Sequence, residues 1–107
     1  MDDLEFIEQL GITIRGIAKV RHIPIGVLEE KCEVSVGYLS RMSNSKLCPT
    51  FIFIYKFAKA LDISMDTIIY LTERKLFKVD GRQKIYFDLE HYIELVELIT
   101  KGENNNA

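Results

Sequence analysis

The chain has 107 residues, 48% of them hydrophobic, and a formal net charge of −2 at pH 7. That length favours a single domain with a real core, although a chain this short buries only about two-thirds of the surface it exposes when unfolded. It contains no apolar run near the roughly 18 residues of a membrane span, and its acidic start, MDDLEFIEQLG, is not built like a secretion signal, so the expected compartment is the cytoplasm and no membrane partner is expected.

The first predicted helix covers residues 3–22. Leu4, Ile7, Leu10, Ile14, Ile17 and Ala18 recur at three- and four-residue steps, as on one helix face. Asp2 or Asp3 is the N-cap. Gly11 and Gly16 each cost about 1 kcal/mol against alanine, which places a break near Gly11. Pro24 ends the helix by disfavouring the helical conformation at Ile23. A short second helix fits residues 25–32, with Ile25, Val27, Leu28 and Cys32 apolar. Glu33 and Val34 form the connection. Ser35 is then the N-cap of a third helix reaching about Met42, with Tyr38, Leu39 and Met42 inward.

SNSKLCP is a loop by composition. Thr50 caps a fourth helix with Phe51, Ile54, Phe57, Ala58 and Leu61 on one face, and Ser64 caps a fifth with Met65, Ile68, Ile69 and Leu71 inward. Beyond Thr72, KLFKVDGRQKIYF places Asp80-Gly81 between two β-prone runs, a hairpin signal. Its rival is an extension of the fifth helix followed by a loop. Asp88 caps a last helix to about Lys101, Gly102 stops it, and the remainder, 103–107, is read as a disordered polar tail.

Charge is unevenly spread. Residues 1–12 carry four acids and no base, whereas 13–50 carry six bases (Arg15, Lys19, Arg21, Lys31, Arg41, Lys46) against Glu29, Glu30 and Glu33. A phosphate-binding face therefore fits the middle of the chain. No metal or cofactor is expected. Cys32 and Cys48 lack close spacing and His22 and His91 stand alone, whereas a zinc site needs about four converging ligands. Both cysteines are read as reduced thiols, Cys32 in the core and Cys48 in a polar loop. With no nucleophile–base set and no glycine-rich phosphate loop, an enzyme is not expected.

Two helices joined by a short turn cross steeply, so the second anchors one face and projects the other. Leu28, Val34 and Leu39 are the core pins of such a unit. In VLEEKCEVSVGYLSRMSNSKLCP, spacing and residue types resemble the helix-turn-helix of the Cro and phage-repressor family, often called XRE-type. IRGIAKVRHI is similar to that family's first helix, and TFIFIYKFAKALDISMDTII to its fourth and fifth, so the resemblance covers roughly residues 10–71. It implies an all-α, five-helix DNA-binding domain over 1–72. Residues 73–102 would then be a C-terminal extended or hairpin segment and a dimerisation helix.

The resemblance also implies a site. The third helix would enter the major groove of double-stranded DNA, where base pairs are distinguishable. Val36, Gly37, Ser40 and Arg41 would lie at the bases, and Ser35, at the N-cap, would belong to the same DNA-binding set. Arg41 would bond guanine or a phosphate, Val36 would meet a thymine methyl, and Asn44 and Lys46 would clamp phosphates in the following loop. The chain departs from the pattern at three places. The family's phosphate-binding glutamine is Ile25 here, its small residue in the second helix is Glu29, and its turn glycine is Glu33. Glu29 is expected to bend outward or to meet a basic partner.

DLEHYIELVELITKG is apolar around much of its girth. Leu89, Tyr92, Ile93, Val96 and Ile99 are taken as a homodimer contact, against the plainer reading that the helix packs on its own domain. Two functions are thus in view. One is a dimeric, sequence-specific transcriptional regulator, a repressor. The other is a protein-interaction module of antitoxin or anti-repressor type on the same scaffold, with weak DNA binding and a protein partner.

Overall fold

The computed structural model describes residues 1–101, apart from the side chains of Leu89 and Tyr92. The tail expected at 103–107, the Gly102 stop, and the contact roles of Leu89 and Tyr92 lie outside the described residues and side chains. The chain is mostly helical. The helices are α1 (Asp3–Val20), α2 (Ile25–Lys31), α3 (Tyr38–Ser43), α4 (Phe51–Ala60), α5 (Met65–Glu73) and α6 (Tyr92–Lys101), and strands β1 (Lys78–Val79) and β2 (Ile85–Tyr86) lie between α5 and α6.

Helix α1 is the central element, packed by α2, α3, α5 and both strands. Asp2 Oδ1 accepts from the Glu5 amide at 2.8 Å, the N-cap read from sequence. The break expected near Gly11 does not occur, and α1 runs 18 residues through both glycines. Each glycine is a socket: a β-carbon at Gly11 would lie 2.7 Å from Ser43 Oγ, and one at Gly16 2.3 Å from Phe77 Cδ1. Close packing of α3 and of Phe77 offsets a helix cost of about 1 kcal/mol per glycine. Leu4, expected inward, is exposed. The core comprises Ile14 and Ile17 from α1, with Leu28, Leu39, Met42, Phe57, Leu61, Ile63, Ile68 and Leu71 packed around them.

The first five helices end in the same way. The residue two past each helix is left-handed and is not glycine: His22, Glu33, Ser45, Asp62 and Lys75 have φ of 58°, 60°, 61°, 54° and 51°. The next amide donates back five residues, Ile23 to Ala18, Val34 to Glu29, Lys46 to Arg41, Ile63 to Ala58 and Leu76 to Leu71. This is the Schellman closure, where glycine is usual, and each side chain held there costs about 1 kcal/mol. Four of the closing residues are apolar and pack on the core. The fifth, Lys46, is exposed.

The connection between α2 and α3 is longer than Glu33 and Val34. It runs from residue 32 to 37, and α3 starts at Tyr38 rather than after Ser35. Gly37, with φ 86°, is the residue at the α3 N-cap, and its lack of a side chain is paired with an acceptor from elsewhere. Glu29, expected to bend outward or to meet a basic partner, is only 2% exposed, and its charge acts on Arg15. Its carboxylate accepts from the Gly37 amide at 3.2 Å and the Leu39 amide at 3.0 Å, so it performs the capping expected of Ser35.

Phe51, expected on the inner face of α4, is 74% exposed. Ser64 caps α5 through the Thr67 amide at 3.2 Å. After α5 the chain forms the hairpin, not a helix extension, pairing Lys78 with Tyr86 and Val79 with Ile85. Asp80 Oδ1 accepts from the Arg82 and Lys84 amides at 2.8 and 2.9 Å and shapes the turn. Two-residue strands are marginal alone, and the outer side of α1 holds these. Gln9 Nε2 donates to Phe77 O at 2.8 Å, Arg15 Nη2 to Gln83 O at 2.9 Å and Lys19 Nζ to Ile85 O at 3.0 Å.

Asp88 does not cap α6 directly. A single 3-10 turn, Leu89–His91, intervenes, and the Asp88 carboxylate sits 3.2 Å from Lys78 Nζ. Helix α6 packs on its own chain through Leu95 and Ile99, which are 0% and 3% exposed. Ile99 therefore packs in the core of its own chain. Val96 is half-buried, whereas Ile93 is 72% exposed.

Candidate nucleic-acid interface

The side chains expected at DNA divide into a cluster and a trailing pair. Tyr38, Leu39, Met42 and Ser43 turn inward from α3, and the Tyr38 ring packs tilted against Phe53 and Phe57, with centroids 5.6 and 5.9 Å apart. That anchoring leaves Ser35, Val36, Ser40 and Arg41 outward, all exposed, with Val36 at 86%. A valine side chain so exposed adds little to the core.

Arg41 gathers the cluster. Its Nη2 donates to Ser35 Oγ at 2.6 Å and its Nη1 to Val36 O at 3.2 Å. A guanidinium has five donors, so three stay free for an incoming acceptor. The fork is thereby held against the connection that leads into α3 rather than swinging on a free stem, which lowers the entropy lost on binding. Gly37 makes room for it: a β-carbon there would lie 3.2 Å from Arg41 Nη1, on backbone that is already left-handed.

Asn44 and Lys46 follow α3. Asn44 Nδ2 donates to Ser40 O at 2.9 Å, which fixes the amide against the end of the helix. The Lys46 amide closes α3 by donating to Arg41 O at 2.8 Å, while its side chain projects. The equivalent residue at the other four helix ends is apolar and packed, so the lysine here is not required by the closure itself.

Glu29 limits what this face can do. Its carboxylate occupies the amides of Gly37 and Leu39, so these two donors at the start of α3 are already taken. Burial pushes the Cys32 thiol above its ordinary pKa, which keeps it an inert core residue, while Cys48 is exposed.

Sequence reasoning missed three features. Glu29 as a cap was not visible because its acceptors lie eight and ten residues away. An apolar groove of about 520 Å³ opens between α1, α4 and α5, with Phe6, Ile7, Phe51 and Met65 among its walls; exposed Phe51 is its signal, hidden by its fit to a helical stripe. The third is a cationic cleft beside the hairpin, formed by residues far apart in sequence. No family model matches the chain, and no curated protein or solved structure does either.

Proposed function

We propose that this chain is a sequence-specific DNA-binding regulator of the cytoplasm, a repressor acting as a homodimer, with α2 and α3 as its helix-turn-helix. The observation that carries the reading is the division of α3 into a buried anchor and an exposed polar cluster led by Arg41. The resemblance of residues 10–71 to Cro and phage repressors supports it. In this reading Arg41 and Ser40 meet base edges, Val36 meets a thymine methyl, and Asn44 and Lys46 hold phosphates.

A helix of six residues reads few base pairs, and a two-fold pair would set two such helices about 34 Å apart, one DNA turn. Self-association is assigned to Ile93 and the half-buried Val96, without Ile99. The exposed Phe51 and Ile52 beside the apolar groove favour a second reading, a protein-interaction module that binds a protein partner.

Selection of bound sequences from random duplex DNA by the purified full chain tests the choice. Enrichment of one half-site is expected, and Arg41→Ala should weaken binding by about 1–3 kcal/mol and relax preference at one position. If no sequence is enriched and binding shows no salt dependence, the protein-interaction reading replaces this one.

A further inference from the structure

A cleft of about 460 Å³ lies between the second half of α1, the start of α2 and the hairpin. Its volume is within the range of small-molecule sites. Three cations converge on it, Arg15 and Lys19 from α1 and Lys84 from the hairpin, over a floor of Ile23, Pro24, Ile25 and Ile85. The cations come from two segments over sixty residues apart in a chain whose acids outnumber its bases, 16 to 14.

None of the three is in an ion pair with a carboxylate among the described residues. The two carboxylates whose fields reach them are already engaged. Glu29, which acts on Arg15, is bound to the amides of Gly37 and Leu39. Asp80, which senses Lys84 and Lys19, is bound to the amides of Arg82 and Lys84. Arg15 is the most enclosed of the three. Its Nη2 reaches Gln83 O at 2.9 Å, while its Nη1 is buried with no acceptor among the described residues. Partial burial of a guanidinium is costly, and the field of an anion in the cleft would offset part of that cost.

We propose that this cleft binds a small amphipathic oxyanion, its carboxylate or phosphate head among Arg15, Lys19 and Lys84 and its apolar body against Ile23, Ile25 and Ile85. The cations set the sign of the head, and the apolar floor sets the rest of the ligand. A bare inorganic ion leaves the floor unused, and a neutral amphiphile leaves the charges unused. The site is independent of the α3 face, and the proposal holds whether or not the chain binds DNA. Its walls belong both to the hairpin and to the connection that leads into α2, so an occupant would join the two.

The test is a titration of the full-length chain, followed through its backbone amide resonances, with octanoate, octyl phosphate, octanol, acetate, inorganic phosphate and a short DNA duplex as separate probes. Saturable shifts at Lys19, Ile25, Lys84 and Ile85 are expected with octanoate and octyl phosphate. Which of these two binds tighter distinguishes a carboxylate from a phosphate head. Lys84→Gln removes a charge from an exposed side chain and should weaken binding about threefold to fivefold, the effect of one partly screened pair. Three results would overturn the proposal: octanol, acetate or inorganic phosphate shifting these amides as strongly as octanoate; unchanged affinity in a folded Lys84→Gln chain; or shifts produced by the duplex alone, which would make the cleft a contact for a nucleic-acid backbone.

Discussion

Two basic regions of the chain hold their charge differently. Arg41 of α3 is hydrogen-bonded to Ser35 and Val36 on the exposed turn just before that helix. Beside the hairpin, Arg15, Lys19 and Lys84 surround a concave, apolar floor. The base-rich middle of the sequence reads as one positive face, yet folding divides it. Arg15 and Lys19 hold the hairpin and line the cleft, and Arg41 and Lys46 remain with α3. An exposed cluster suits a broad polyanion, and a cleft suits a small one. Net charge along a sequence therefore sets how much positive potential there is, and only packing decides what shape of anion it meets.

The largest expected effect breaks the α3 side alone. Glu29→Ala leaves the amides of Gly37 and Leu39 without their acceptor in a buried place. Loss of a carboxylate cap with two hydrogen bonds should destabilise the protein by about 3 kcal/mol, measured by urea unfolding. Below the unfolding transition, amide exchange should quicken first at residues 37–41. If exchange at the hairpin quickens equally, the two regions are one cooperative unit and the comparison fails.

The matching change on the other side is Gly16→Ala. The new methyl would overlap Phe77, whose ring lies 2.3 Å from that position. A methyl forced into a filled site costs about 2 kcal/mol, partly offset by the better helix propensity of alanine. The hairpin should loosen while α3 keeps its protection. Combining it with Phe77→Ala should cost less than the two single changes added together, since they share one contact. Strict additivity would show that Phe77 does not hold the hairpin through Gly16.

A smaller effect, of opposite sign, comes from the turn between α2 and α3. Glu33 holds φ 60° with a β-carbon, so Glu33→Gly should stabilise by up to about 1 kcal/mol, less the entropy glycine adds to the unfolded chain. Calorimetry or urea unfolding reads it directly, and a loss of stability would mean that the Glu33 side chain makes a contribution beyond its backbone strain.

How far the sequence could be read follows from where each signal resides. Asp2, Ser64 and the apolar pins Leu28, Leu39, Phe57 and Leu61 were legible because capping and helical periodicity are local. Asp80-Gly81 pointed to the hairpin for the same reason. Gly11 and Gly16 misled, since a glycine that admits a distant side chain looks like a helix breaker until Ser43 and Phe77 are in place. The Schellman closures at His22, Ser45, Asp62 and Lys75 were hidden because none of them carries the expected glycine, and Glu33 was singled out only because the resembled family has glycine there. Ile99 and Ile93 fit the same apolar helix, and only the packing of α6 separates a core residue from a surface one. Of the candidate site, the outward set on α3 was legible once its inward anchors were found, but Glu29 behind it was not.

The smallest expected effect concerns the hairpin turn and pH. Asp80 is an exposed carboxylate whose pKa lies below its ordinary value, chiefly because the Lys84 amide and then the Arg82 amide donate to it, with Lys84 and Lys19 adding positive field. Its folded-state pKa is therefore lower than its unfolded value of about 3.9. The contribution to stability is complete above that unfolded value and is lost as pH falls through the folded pKa. The Arg82 and Lys84 amide resonances should move together in this acid range, with a midpoint below about 3.9. Asp80→Asn keeps a side-chain oxygen for both amides, so the turn should persist and that titration should vanish. The α3 amides should be indifferent to the substitution, since Asp80 does not touch that region. A midpoint at or above the ordinary carboxylate value would show that the charged form is not what holds the turn, and the hairpin side of the cleft would then depend on Phe77 and the grip of α1 alone.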